Sequence, residues 1–108
     1  MEWTTEENGK RLTVKVDGRF VAAVVPAVRE DIIGRIKDGM TVVFDLEKMT
    51  HIDSSGIGAL VQILQKAKAH NGKVILAALQ AGPKIVFDIT KVNRVFDIVP
   101  TVADAPAE

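Results

Sequence analysis

Two short apolar runs constrain the fold of this chain most strongly. Residues 42–44 read Val-Val-Phe and residues 74–76 read Val-Ile-Leu, and each run lies between turn signals. A continuous apolar run of this length is typical of a strand that is covered on both faces. Amphipathic helical patterns precede and follow each run. Strands that alternate with helices predict a mainly parallel sheet with right-handed crossovers.

The start of the chain predicts an antiparallel hairpin at the edge of that sheet. Residues 2–8 can pair as an edge strand, and Asn8-Gly9 suits a two-residue turn because both residues tolerate positive φ. Apolar and polar residues then alternate from Leu12 to Val16, which indicates a half-buried strand that Asp17-Gly18 closes. The hairpin makes the predicted sheet mixed.

Two amphipathic helices are predicted in the first two thirds of the chain. The first begins at Pro26, runs for about three turns and ends at Gly39. Residues 21–25, which precede this helix, suit core packing, with a partner surface as the alternative. Asp53 or Ser54 caps the second helix, which stops at Asn71-Gly72.

A third helix opens at Gly82-Pro83, and its apolar face consists of Ile85, Val86 and Ile89. Phe87 and Val92 lie off that face. Residues 73–79 precede it as a buried strand, residues 94–99 follow as a short last strand, and a C-terminal stub ends at Pro106. The predicted order is β-β-α-β-α-β-α-β, in a single α/β domain over residues 1–108.

Composition excludes several functional classes. Lys plus Arg and Asp plus Glu both number 14, so the zero net charge argues against a nucleic-acid surface or a polybasic membrane anchor. There is no cysteine and there are two histidines, so neither a metal site nor a cofactor is predicted. The polar, acidic first ten residues are not a signal peptide, and no apolar run is long enough for membrane insertion. We expect a soluble, cytoplasmic protein.

The segment Asp53-Ser54-Ser55-Gly56 has two interpretations. It can be a simple helix cap, because Asp and Ser side chains accept hydrogen bonds from the first helical turn. The partner of a capping box is missing, since Gly56 stands three residues after Asp53. Gly58 disfavours the helix by about 1 kcal/mol relative to Ala, which suggests close approach by a neighbouring strand or a partner protein. The alternative is a phosphorylatable serine at a helix N-terminus, where backbone N–H groups favour an anion.

Residues 43–60 (VFDLEKMTHIDSSGIGAL) resemble the signature of STAS domains, particularly bacterial anti-sigma factor antagonists. In that family an apolar strand leads into an Asp-Ser-Ser/Thr-Gly-Leu/Ile-Gly turn and helix. The resemblance extends over about residues 10–105. It implies a STAS fold in which the helices pack largely on one face of the sheet.

The resemblance also implies a function without catalysis. The unphosphorylated antagonist binds an anti-sigma factor that is also a serine protein kinase, and phosphorylation of Ser54 releases it. A serine phosphatase is a further candidate partner, and the oligomeric state is left open. The partner-binding residues implied are Asp53, Ser54, Ser55, Gly56, Ile57 and Gly58. One departure concerns Val21, which stands where the family usually has Asp on its partner-facing surface.

Two alternatives accompany this interpretation. The domain can be a scaffold subunit of a sensory or lipid-transport complex in which Ser54 is only a cap. His51, Asp53 and Ser54 can also be combined as a nucleophile, base and acid, but members of such a triad usually come from distant segments. No Walker-type phosphate loop supports nucleotide hydrolysis.

Overall fold

A mixed sheet with helices on one side forms the frame of the protein. The computed structural model describes residues 1–105, and these form six strands and three α-helices. The strands are β1 Glu2–Asn8, β2 Arg11–Phe20, β3 Thr41–Asp45, β4 Met49–Ile52, β5 Lys73–Ala77 and β6 Asp97–Val99. The helices are α1 Val25–Arg35, α2 Ser54–Ala69 and α3 Ala81–Thr90.

The sheet has the strand order β1-β2-β3-β5-β6. β1 and β2 pair antiparallel up to Asn8 opposite Arg11, so the two-residue turn is Gly9-Lys10, one residue later than the predicted Asn8-Gly9. Gly9 takes the positive φ, at 62°. The other strand pairs are parallel, with Val14 opposite Phe44 and Phe44 opposite Leu76. The prediction of a mainly parallel sheet with an antiparallel edge is therefore confirmed.

The two faces of the sheet are covered differently. Buried residues of all three helices share one apolar cluster with alternate strand residues such as Val14, Phe44 and Leu76. The intervening residues Val43 and Ile75 point to the other face and pack with a C-terminal cluster that contains Ala77, Val99, Val102 and Ala105. Both faces of β3 and β5 are thus buried, which explains why their sequences are continuously apolar.

Strand β4 is the element that the sequence did not predict. It is four residues long, and only its end residues Met49 and Ile52 are buried. It pairs in parallel with the segment of β2 from Gly18 to Phe20, and the register of this pairing shifts between Gly18 and Arg19. The turn signal at Asp17-Gly18 predicted that β2 ends there, but β2 continues to Phe20.

The predicted apolar face of α3 was wrong. Ile85 and Ile89 are 59% and 74% exposed, whereas Phe87 is fully buried. The Phe87 ring meets that of Phe96 edge to face, with centroids 6.4 Å apart, and this large aromatic contact turns the helix so that Phe87 points inward. The two β-branched isoleucines are left in solvent.

Two element ends also differ from the predictions. α1 ends at Arg35, and not at Gly39, because Ile36 already has an extended backbone. A 3-10 turn at Val92–Arg94 precedes the last strand, which is therefore shorter than predicted. The predicted stop at Pro106 and the domain end at residue 108 lie outside the described residues.

Candidate functional site

The candidate site lies at the carboxyl ends of β2 and β4, where α1 and α2 begin. β4 ends at Ile52, and α2 begins two residues later at Ser54, with Asp53 as its N-cap. β2 ends at Phe20, and the connection through residues 21–24 leads into α1. The two parallel strands therefore bring the start of both helices to one edge of the sheet.

Asp53 connects these two helix starts through its carboxylate. Its Oδ1 accepts a hydrogen bond from the Gly56 N–H at 3.0 Å, which caps α2. Its Oδ2 accepts a hydrogen bond from the Ala22 N–H at 3.0 Å, which anchors the β2–α1 connection. The hydrogen bond from Gly56 holds the pKa of Asp53 below its ordinary value of 3.8, and the bond from Ala22 acts in the same direction. Desolvation of the carboxylate raises the pKa, but by less than these bonds lower it. Of the two predicted caps, Asp53 and Ser54, the structure shows Asp53 in this role, and the second bond is an additional finding.

Only glycine fits at position 56, because there is no room for a side chain. A Cβ atom on this residue would lie 2.6 Å from the Phe20 carbonyl oxygen and 2.7 Å from Cγ1 of Ile52. Such distances are far inside van der Waals contact, so a larger residue would push α2 away from the ends of β2 and β4. The glycine thus permits the close approach on which the Asp53 bridge depends.

The remaining residues of the predicted site divide by exposure. Ser54 and Gly58 are exposed, and Ser55 is half-buried. Ile57 is only 6% exposed and belongs to the core, and Gly56 is buried as well. These two residues therefore support the surface from beneath, and their side-chain positions are not available to a partner.

Packing among residues 1–105 does not explain Gly58. A Cβ atom added there would meet no atom within 4 Å, so no neighbouring strand among residues 1–105 approaches it. The explanation by a neighbouring strand is therefore wrong for the described residues, and contact with a partner protein stays a prediction. The residue is four positions after Ser54 and so lies on the same side of α2.

Sequence reasoning missed the role of Ala22 because this residue contributes a backbone N–H, which any amino acid except proline would supply. The preceding residue, Val21, accepts hydrogen bonds at its carbonyl from the N–H groups of Val24 (2.9 Å) and Val25 (3.2 Å). Its side chain is half-buried. The position at which the family usually has Asp thus carries an apolar group beside the site.

The geometry does not bring His51, Asp53 and Ser54 into a catalytic chain. His51 is exposed on β4, and its Nδ1 lies 3.0 Å from Oγ1 of Thr50. Both carboxylate oxygens of Asp53 accept hydrogen bonds from backbone N–H groups. Within residues 1–105, no three His, Asp or Glu side chains are grouped closely enough to hold a metal ion. In the same part of the chain, no helix combines the length and apolar character needed to cross a membrane.

Known proteins match this chain over most of its length. The family model of the STAS domain covers residues 2–105. The anti-sigma-B factor antagonist of Bacillus subtilis is 25% identical over 93 residues, which are 86% of this chain and 85% of that protein. Its Listeria monocytogenes counterpart is 23% identical over 94 residues, 86% of this chain and 82% of that protein.

Solved structures share the fold at low sequence identity. A STAS domain protein of Planctomyces limnophilus, described as an anti-sigma-factor antagonist, has a TM-score of 0.85 at 17% identity, and the match covers 94% of this chain and 92% of that one. The resemblance found in residues 10–105 is confirmed, because the family model covers nearly the whole chain. The chain belongs to the STAS domain family.

Proposed function

We propose that this STAS domain is an anti-sigma factor antagonist that is switched by phosphorylation. It binds an anti-sigma factor with serine kinase activity when Ser54 is unphosphorylated, and releases it when Ser54 is phosphorylated. The observation that carries the proposal is the exposed Ser54 at the first position of α2, beside the anchored Asp53. The names of the curated relatives in Bacillus and Listeria support the same role.

The fold would tolerate a phosphate on Ser54. Phosphoserine adds about −1.5 to −2 charges at neutral pH. The N-terminus of a helix favours an anion through its free N–H groups and its dipole, and the first turn of α2 carries no acidic residue that would repel it. Asp53 is the nearest carboxylate in sequence, and its two oxygens are held by backbone hydrogen bonds. We therefore expect phosphorylation to leave the fold intact.

A partner packed over Ser54 would not tolerate the same phosphate. Closing an interface over a dianionic group removes its water, and this costs affinity unless the partner supplies a matching cation. The expected result is a change in binding without unfolding. In this role the domain is a binding module and its partner performs the catalysis. The site of action would be the cytoplasm, where sigma factors work.

The experiment that tests the proposal is phosphorylation by the cognate anti-sigma kinase. The purified domain is incubated with this kinase and ATP, and the phosphorylated residue is located by mass spectrometry of peptides. Wild type should gain one phosphate on Ser54, and Ser54→Ala should gain none. Ser55→Ala is the matched control, because it removes the neighbouring hydroxyl, and it should be phosphorylated like wild type. Unmodified wild type, or phosphate on Ser55, would contradict the proposal.

The variant Ser54→Asp distinguishes a phosphorylation switch from a scaffold role of the domain. Ser54→Asp places a permanent negative charge at the site while keeping a residue that suits the start of a helix. We expect this variant to lose binding to the anti-sigma factor. Unchanged binding would instead favour a scaffold in which Ser54 is only part of the cap.

A further inference from the structure

The β2–α1 connection and the first turns of α2 are fixed to each other. Asp53 accepts hydrogen bonds from Ala22 in one element and from Gly56 in the other, both at 3.0 Å. Gly56 also leaves no room between α2 and the end of β2, where the Phe20 carbonyl lies. A partner that contacts one element therefore meets the other in a fixed position.

These two segments contain almost no charge. Residues 20–28 include no Asp, Glu, Lys or Arg, and residues 49–65 include only Asp53 among these types, whereas such residues make up 26% of the whole chain. The charge of Asp53 is directed to two backbone N–H groups. His51 pairs in register with Arg19, while the next pair, Phe20 and Ile52, is buried against the helices. Because side chains alternate along strands, His51 and Arg19 point to the opposite side of the sheet.

Where the two segments meet, the exposed side chains are small, whereas the exposed Gln62 and Gln65 further along α2 are larger and uncharged. Ala22, Ala23, Ser54 and Gly58 are exposed, and Val21 and Val24 are half-buried beside them. We call these six residues the docking face. Small side chains allow the backbone of a partner to come close, and they lose little conformational entropy when they are covered.

We propose that the docking face binds an apolar, uncharged surface of the anti-sigma factor, without ion pairs across the interface. This inference rests on the proposed function and specifies the chemistry of the partner. A charged side chain of a partner would lose its water on binding and would find no opposite charge on the docking face. This cost disfavours partners that present Lys, Arg, Asp or Glu to the docking face. A phosphate on Ser54 would then be the one strong charge on the docking face.

The dependence of affinity on salt tests this inference. The dissociation constant of the wild-type complex with the cognate anti-sigma factor is measured by calorimetry at 50 mM and 500 mM NaCl. An uncharged interface should change its affinity by less than about twofold, because salt screens only charge interactions. Weakening by about tenfold or more would overturn the inference and leave the proposed function intact. Absence of binding at both salt concentrations would refute the proposed function, and the inference with it.

A pair of charge insertions provides the matched control. Gly58 on α2 and Gly34 on α1 are both exposed helical glycines at which an added Cβ meets nothing within 4 Å. Gly58→Glu should weaken binding by about a hundredfold, because it buries an unpaired charge in the interface. Gly34→Glu lies outside the docking face and should bind like wild type. Melting temperatures of the two variants show whether each one folds. Wild-type affinity for a folded Gly58→Glu would overturn the inference.

Discussion

Replacement of Asp53 separates its two hydrogen bonds. Asn retains one carbonyl oxygen, and Asn and Asp are about equally good N-caps, so Asp53→Asn should keep the bond to the Gly56 N–H. The Asn side-chain nitrogen cannot accept a hydrogen bond, so the bond to the Ala22 N–H is lost. Asp53→Ala loses both bonds.

The expected magnitudes follow from these contacts. Loss of the Ala22 bond, which lies at the protein surface, should reduce the free energy of unfolding by about 1 kcal/mol in Asp53→Asn. Asp53→Ala also loses the cap, worth about 1 kcal/mol more, for a total of about 2 kcal/mol. Urea unfolding at pH 7 measures both differences. Hydrogen exchange at the Ala22 amide should accelerate in both variants.

The effect of Asp53→Asn should depend on pH. The folded pKa of Asp53 lies below its ordinary value of 3.8, so the carboxylate stabilises the fold above the unfolded pKa. This stabilisation is lost as pH falls through the folded pKa, so the stabilities of wild type and Asp53→Asn should begin to converge at about pH 4 and meet below the folded pKa of Asp53. Equal destabilisation by Asn and Ala at pH 7, or unchanged exchange at Ala22, would refute the assignment of a bridge between the two elements.

Three further substitutions test the packing around the site and at the hairpin. Gly56→Ala should destabilise the fold by about 3 kcal/mol in urea unfolding, because its Cβ would lie 2.6 Å from a backbone oxygen. Gly58→Ala should stabilise it by about 0.5–1 kcal/mol, as helix propensity predicts for an open position; destabilisation would mean that the position is not open. Trp3→Phe removes the 2.9 Å bond from Nε1 to Asp31, so the pKa of Asp31, lowered chiefly by this bond, should rise toward 3.8 in an NMR titration.

The sequence predicted strands correctly where their apolar pattern reflected packing along a whole face of the strand. The apolar runs of β3 and β5 identified a sheet covered on both sides, and the alternation in β2 identified the hairpin. Strand β4 was missed because four residues with two buried ends do not form a recognisable alternation. In α3 the isoleucines predicted the wrong face, because the contact of Phe87 with Phe96 depends on tertiary packing.

The candidate site shows the same limit at the level of single residues. Asp53 was recognisable as a cap because its side-chain type and its position before a helical pattern are local signals. The hydrogen bond of Asp53 to Ala22 could not be predicted, because a backbone N–H is present in every residue except proline and the two residues are 31 positions apart. Gly56 and Gly58 look alike in the sequence, and only the structure distinguishes a crowded glycine from an open one.

The most direct test of the account compares two forms of the same protein. The domain is prepared unmodified and fully phosphorylated on Ser54, and the affinity of each form for the cognate anti-sigma factor is measured by calorimetry, with circular dichroism as the check on folding. We predict identical spectra and an affinity at least about a hundredfold lower for the phosphorylated form, as expected for an unpaired charge in an interface. Equal affinities of the two folded forms would contradict the central claim that phosphorylation of Ser54 switches binding.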